Sequence, residues 1–557
     1  MRTLTLLFIL LSFIGLGQNI ILDENYTDWN TNVSKYTDFA GDRTTTGLDF
    51  TDIRAANDDK YLFLYFTLGK EINIQSDNDL AIVLDVDNNS NTGSTVAGLG
   101  ADLVYYPGQR RGIIYVGQST ILINHAQVGW VSSPTVTNDR FECSILRNIN
   151  VGNVQLVFGK EIRFRLIDDT MLGDRAPNSG SYAYTMTSNA FSPSPYSIDK
   201  TSNSDLRVMG YNVLQDRMFL SGVRQNYTRI FNVIKPDIIG FCEIYNNSGA
   251  QTAAFVESIL PSDAGQKWYH SELVPDIRVV SRYPILNSRS IDGNGAFLID
   301  LGTKKLIFIV AHLPCCENEV QRQLEVDKIM AFIRGVRFGI SPFDVPLNTP
   351  IIITGDMNLV GFRRQLETFL TGDILNNSSN GPDFNPDWDN TRLEDAKPVT
   401  TDMPMTFTWY NGNGSFSAGR LDFIFYSGSV LKLKNAFSLW TAAMTNQQLL
   451  TYGLQERDIV AASDHLPVVA DFDLNGTTNI SLVDQDTPFK FYNNGGVWTI
   501  NSKFTGRLRV SDVSGKTYHD TNILKDEDQP IQLPDVSGLF LVTLVTQEMI
   551  FSIKVWN

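Results

Sequence analysis

A mixed, layered α/β domain, flanked by a β-sandwich on its N-terminal side and a smaller one on its C-terminal side, is the architecture that this chain predicts. Three observations lead to it. Apolar runs of strand length, broken by Gly, Asn and Asp, fill both ends of the sequence. Between Leu206 and Phe472 such runs alternate with helix-like segments. At 557 residues the chain also exceeds what a single hydrophobic core supports, so several units are expected.

The elements follow in order. Arg2, the apolar stretch Leu4 to Ile14 and the small residues Gly15 and Gly17 predict a secretory signal peptide over 1–18. The stretch is shorter than the roughly 20 residues that span a bilayer, and no other apolar run approaches that length. An exported protein, secreted or held at the cell surface, is therefore expected. Residues 19–196 read as an antiparallel β-sandwich, with strand-like runs at Tyr61–Phe66, Leu80–Leu84 and Val154–Phe158. Pro193, Pro195 and the polar stretch after them have linker composition, which places a linker at 197–204.

Residues 205–473 make the α/β block. Its strand candidates are Leu206–Tyr211, Ile238–Phe241, Leu306–Ala311, Ile351–Thr354, Leu421–Tyr426 and Val468–Phe472. Helix candidates are Gln225–Ile234 and Glu319–Phe332, the latter with Val320, Leu324 and the Ile329–Ile333 cluster on one face; Pro236 and Pro342 are their stops. Residues 476–557 return to short strands around the turns Asn493-Asn494-Gly495-Gly496 and Val513-Ser514-Gly515-Lys516, a sandwich near the minimum size that folds alone.

Composition narrows the function classes. Four cysteines exclude a disulfide-rich scaffold; the adjacent Cys315 and Cys316 are read either as a vicinal disulfide or as two buried thiols. The net charge of −16 is spread along the chain, and no segment is a polybasic clamp for nucleic acid. A metal site can still hold one phosphate, so this acidity does not exclude turnover of a phosphodiester.

The chemistry is concentrated where strands end. Tyr211-Asn212, Cys242-Glu243, Ala311-His312 and Gly355-Asp356-Met357-Asn358 each terminate an apolar strand with a polar group, and Arg420-Leu421-Asp422 and Ser463-Asp464-His465 add two more. Polar groups at neighbouring strand ends converge on one rim of a sheet. Asp356 and Asn358, two apart, point to the same face. Carboxylate, amide and imidazole together are what phosphodiester hydrolysis asks for: an aligned water, charge neutralisation and a group that titrates near neutral pH.

In this order, Asn212, Glu243, His312, Asp356-x-Asn358, Asp422 and Asp464-His465 resemble the endonuclease/exonuclease/phosphatase superfamily, which includes pancreatic-type deoxyribonucleases, abasic-site endonucleases, neutral sphingomyelinases and inositol phosphatases. The resemblance implies a four-layered α/β sandwich with its site at the sheet rim. It implies Glu243 as the principal ligand of a divalent cation, Mg²⁺ or Mn²⁺, with Asn212 and Asp464 in its shell; hard oxygen donors suit such ions. His312 and His465 would flank the scissile phosphate, Asp356 and Asn358 would orient water and phosphoryl oxygens, and Asp422 would hold one imidazole in its productive tautomer. Ahead of Ser281-Arg282-Tyr283-Pro284 the chain departs from the family pattern, with Asp276 and Arg278 in place of small residues. Either they face the site together, Arg278 offering its fork to a phosphate, or they form an ordinary strand-surface ion pair.

The flanks carry further signals. The run from Asp85 to Gly93 presents oxygen donors at alternate positions, as calcium loops do and as Asn- and Asp-rich turns also do, so Ca²⁺ is a candidate there. With Asp28-Trp29-Asn30, the N-terminal block resembles carbohydrate-binding sandwiches of secreted enzymes, which implies glycans as partners. Leu508–Val513, Gly515-Lys516, Val536–Val542 and Phe551–Val555 resemble the sorting domain of type IX secretion cargo, which implies that secretion machinery as a partner. The expected function is a secreted, divalent-metal-dependent phosphodiesterase acting on extracellular DNA or RNA. The alternatives are a phospholipid or phosphate-monoester hydrolase of the same fold, and a catalytically inactive surface glycan-binding protein.

Overall fold

The structure, a computed structural model, describes residues 20–30, 33–43, 46–188, 190, 196–339, 343–474, 489–494, 497–512, 516–531, 539–545 and 550–556. The expected signal peptide, residues 191–195, Pro342 and the turn residues 495–496 and 513–515 lie outside these, as do residues 536–538 of the sorting resemblance. Among the described residues no helix is long and apolar enough to cross a membrane. The chain is mostly β-sheet with few helices and divides into two compact units, one running to Thr478 and one from Asn479.

The N-terminal block is built around two large sheets. Tyr61–Ile72 and Asn138–Leu146 pair antiparallel inside a five-stranded sheet, and Leu80–Asp85 pairs with Glu161–Asp168 inside a seven-stranded one. Leu62, Leu64 and Phe66 pack with Leu80, Ile82, Leu84 and Phe164 in the core they share. The opposite face of the same strand, Tyr61, Phe63 and Tyr65, is buried too, in a cluster with Met405, Phe407, Ala418 and Trp440 of the α/β block. Side chains alternate across a strand, so a run buried at every position from Tyr61 to Phe66 serves two cores. The N-terminal block thus shares apolar packing with the α/β block in one compact unit. The first described residues reinforce the join, because Leu22 N donates to Pro404 O (2.9 Å) and Thr406 N donates to Leu22 O (2.9 Å).

The α/β block contains two sheets. The first holds β1 (Leu206–Asn212) and β2 (Ile238–Cys242), which run parallel. The second holds β3 (Lys305–His312) and β4 (Ile351–Asp356), also parallel, and β5 (Asp422–Tyr426), antiparallel to β4; β6 (Val468–Asp473) returns to the first sheet beside β1. Val208, Ile238, Val468 and Ala470 of one sheet share a core with Phe308, Val310, Ile352 and Ile424 of the other. Helix α1 (Arg224–Ile234) packs Tyr227, Ile230 and Phe231 with Tyr211 and Phe241. Helix α2 (Glu319–Arg337) packs Val326, Ile329, Met330 and Ile333 with Ile307, Ile309 and Ile353, a spacing of three and four residues that defines one face. This helix runs past Phe332 to Arg337, and Val320, expected on its buried face, is 75% exposed. It sits in the first turn, ahead of the part that lies against the sheet.

The C-terminal unit has a three-stranded and a four-stranded sheet, with Ile500, Leu508, Val510, Ile523, Phe540 and Val542 in one cluster.

Candidate active site

Strand register assembles the site. Parallel pairing sets His312 beside Asp356, and antiparallel pairing sets Asp356 beside Asp422, so three polar residues stand side by side where β3 and β4 end and β5 begins. Gly355 permits this closeness: its φ is +132°, and a Cβ there would lie 2.0 Å from Ala311 O.

Asp356, 2% exposed, is the hub. Its Oδ1 accepts from Asn358 N (3.1 Å) and its Oδ2 from Asn212 Nδ2 (3.1 Å). The same Oδ2 lies 3.7 Å from His312 Nε2 and 3.6 Å from His465 Nε2. Asn212 also donates to Glu243 Oε1 (2.9 Å), so one amide nitrogen ties two carboxylates together. Its own Oδ1 accepts from Leu214 N (3.0 Å), which leaves Asn212 organising the carboxylates. Glu243 Oε2 accepts from Gln215 N (2.9 Å). Glu243 holds φ at +64°, an uncommon backbone state for a residue with a Cβ. Asp216 braces that turn: its N–H donates to Glu243 O, and its carboxylate accepts from Tyr245 N, Asn246 N and Asn247 Nδ2.

Each imidazole has a second carboxylate behind it. His465 Nδ1 lies 2.8 Å from Asp422 Oδ2, while the Asp422 and Leu421 N–H groups both donate to Thr408 Oγ1. His312 Nδ1 is hydrogen-bonded to Asp276 Oδ2. Burial opposes charge on His312, but the bond to Asp276 and the negative fields of Asp356, Asp276 and Glu243 outweigh it and lift the imidazole to about 9. His465 is likewise lifted above the ordinary imidazole range: burial opposes its charge, and Asp422 and Asp356 override it.

The remaining expected residues are placed as follows. Asn358 is buried, with Nδ2 donating to Leu313 O (2.9 Å) just after His312. Asp464 Oδ2 accepts from Trp409 Nε1 (3.1 Å). Its Oδ1 is buried without a hydrogen-bond partner, as is Asp422 Oδ1. Arg278 is directed elsewhere: its guanidinium donates to Val274 O, Pro275 O, Ile277 O and Asn247 O, and so braces the loop that presents Asp276. Asp276 and Arg278 thus part company. Asp276 reaches the site and Arg278 does not, a difference that strand alternation alone could not reveal. Cys315 and Cys316 are free and exposed on the loop after His312, neither bridged nor buried.

The donor set fits a hard divalent cation. Asp356, Asp422 and His465 bring ligand atoms within 4.8 Å of one another, but His465 and Asp422 are bonded to each other; the oxygen donors left for a cation are Glu243, tied to Asp356 through Asn212, and Asp464, whose unpartnered Oδ1 follows the Ser463 that bonds Asn212 O. A buried carboxylate oxygen with no donor is costly unless something compensates it.

The model of the Endonuclease/Exonuclease/phosphatase family matches residues 209–465, so this stretch carries a domain of that family within the longer chain. Among curated proteins, none matches the chain. Solved structures to which it is similar include D. rerio TDP2 humanized by 14 mutations, at 14% identity over 49% of this chain and 100% of that one with a TM-score of 0.30. The human Nocturnin catalytic domain with bound sulfate is similar at 17% identity over 48% and 94%, TM-score 0.32. ANGEL2, a 2′,3′-cyclic phosphatase, is similar at 19% identity over 48% and 95%, TM-score 0.34.

Proposed function

We propose that this protein is a divalent-cation-dependent phosphoric ester hydrolase, nuclease-like in its chemistry. One observation carries the reading: a buried carboxylate, Asp356, faces the Nε2 atoms of two imidazoles at 3.7 and 3.6 Å, and each ring is held from behind by its own acid. The family match at 209–465 supports it. So does the packing of helices outside two sheets with a core between them, which agrees with a four-layered α/β sandwich.

Glu243 and Asp464 would hold the cation, with Asn212 fixing the orientation of Glu243. When bound, it would supply Lewis-acid charge neutralisation. The chain's own residues do the rest. Asp356 accepts a hydrogen bond from the attacking water and aligns it, while Asn358 keeps the loop after His312 in place. The two imidazolium rings donate from Nε2 to phosphoryl oxygens as negative charge builds there. Asp422 and Asp276 hold the rings in position and keep them charged.

Extracellular DNA or RNA is the leading substrate class. A second reading, a phospholipid head group or a phosphate monoester, is favoured by one observation: Arg278, expected to offer its fork to a further phosphate, is committed to loop carbonyls. Export through the signal peptide and type IX machinery, and glycan binding by the N-terminal block, belong to the same proposal. For Ca²⁺ the support is that Asp102 joins Asp85 and Asp87, with ligand atoms within 4.8 Å of one another. The full chain, assayed with Mg²⁺ or Mn²⁺ against plasmid DNA, RNA, sphingomyelin, a phosphate monoester and bis(p-nitrophenyl) phosphate, should turn over at least one of them and stop with EDTA. Activity undiminished by EDTA would remove the cation from the proposal, and inactivity on all five would remove the enzyme.

A further inference from the structure

Three consecutive residues of the N-terminal block contact both of the loops that adjoin Asp356 and Asp422. We infer that Thr135, Val136 and Thr137 are positioning residues for the candidate active site, acting through Asp422 on one side and Asp356 on the other. The inference rests on the hydrolase reading for its rate measurements.

Thr135 Oγ1 accepts from Arg420 N (2.9 Å), two residues before Asp422. That contact anchors the chain just where Leu421 and Asp422 bond to Thr408 and where Asp422 turns toward His465. Val136, 4% exposed, lies in the core cluster with Met357, Leu359 and Phe423, the residues that directly follow Asp356, Asn358 and Asp422. Thr137 N donates to Gly361 O (2.8 Å), and Thr137 Oγ1 accepts from Arg363 N (3.0 Å), which holds the far end of the loop that begins at Asp356. The hydroxyl is itself oriented by a hydrogen bond to Glu71. Two more contacts from the same block extend the grip: Asn73 Nδ2 donates to Val360 O (3.0 Å), and Ser417 N donates to Gln75 Oε1 (2.9 Å).

The physical reason such a brace matters is geometric. Asp356 and Asp422 are adjacent in register, but the segments beyond them leave the sheet and are held by isolated bridges of Trp409 with Gly419 and His465 and by the bond from Met357 N to Leu421 O (2.8 Å) in place of a continuous ladder. A loop without a ladder needs other anchors, and small displacements of reacting groups cost rate. Residues 135–137, the short connection between the paired strands Val131–Ser133 and Asn138–Leu146, hold both loops, which couples their positions to each other.

The test uses the full chain with Mn²⁺ and bis(p-nitrophenyl) phosphate. Thr135→Val removes the acceptor and keeps the shape; kcat should fall about tenfold with KM and Tm little changed. Thr135→Ser, which restores the hydroxyl, should recover kcat to within about twofold. Thr51→Val, which removes a hydroxyl that bonds Thr67 elsewhere in the same block, should leave kcat unchanged. Amide hydrogen exchange over 357–363 and 409–421 should quicken in Thr135→Val and Thr137→Val and stay slow in the Ser variant. Wild-type kcat together with wild-type exchange in both Val variants overturns the inference. If the unmodified chain hydrolyses no phosphoester at all, the hydrolase reading falls, and the exchange data alone then support or overturn the brace.

Discussion

His312 and His465 present the same ring atom to the same carboxylate oxygen, yet they are held by different kinds of structure. His465 is backed by Asp422, whose side chain is fully buried and whose place is set by antiparallel pairing with Asp356. His312 is backed by Asp276, 15% exposed, on a loop whose shape depends on Arg278 and its four carbonyl partners. One dyad is a product of sheet register and the other of a braced loop. A register cannot shift without unpairing a strand, whereas a loop can relax, so the His465 side is expected to be the rigid half of the site and the His312 side the tunable half.

The largest effects should come from the residue common to both halves. Asp356→Ala should lower kcat about a thousandfold on bis(p-nitrophenyl) phosphate, and His465→Ala about a hundredfold; near-normal rates in both would place the chemistry elsewhere. The contrast between the dyads is next. At pH 6, Asp422→Asn should cost about thirtyfold and Asp276→Asn about threefold, because Asp422 is fully buried while Asp276 is partly exposed. Equal losses would show that the two halves are equally rigid.

A pH profile sharpens the same contrast. A raised imidazole keeps its proton below its folded-state value and loses it as pH rises through that value, so turnover that needs charged His312 should decline above about pH 9. Asp276→Asn removes the nearby charge and leaves only a neutral amide oxygen to accept from Nδ1, and should move that alkaline limb down toward the ordinary imidazole range near 6.5. An unmoved limb would assign it to another group. The smallest effect is expected from Cys315→Ser, which should change kcat by less than about twofold, since exposed thiols outside the hydrogen-bonded site contribute little.

Much of this site is legible without coordinates, for a local reason. Asn212, Glu243, His312 and Asp356 each end an apolar run that a strand must bury, and the six predicted strands of the α/β block are all present. The signal was the switch from apolar to polar at a strand end, which is written in adjacent residues. Asp276 and Arg278 carried no such signal for their separation: the arginine's direction depends on carbonyls of its own loop and of Asn247, 31 residues away. Asp102 was missed beside Asp85 and Asp87 because it lies between two later strands. Cys315 and Cys316 are exposed because their loop rides over Arg322, whose guanidinium donates to Pro314 O and Cys316 O.

The amino-acid order by itself determined the sheet-forming segments, the polar residues at their ends and the class of chemistry that those residues can perform, since periodicity and residue type are properties of short windows of chain. Only the tertiary structure decided which carboxylate backs which imidazole, and that the face of Tyr61, Phe63 and Tyr65 is buried against the α/β block. Those choices depend on contacts between segments far apart in the chain, and an apolar run looks the same whether one of its faces is buried or both.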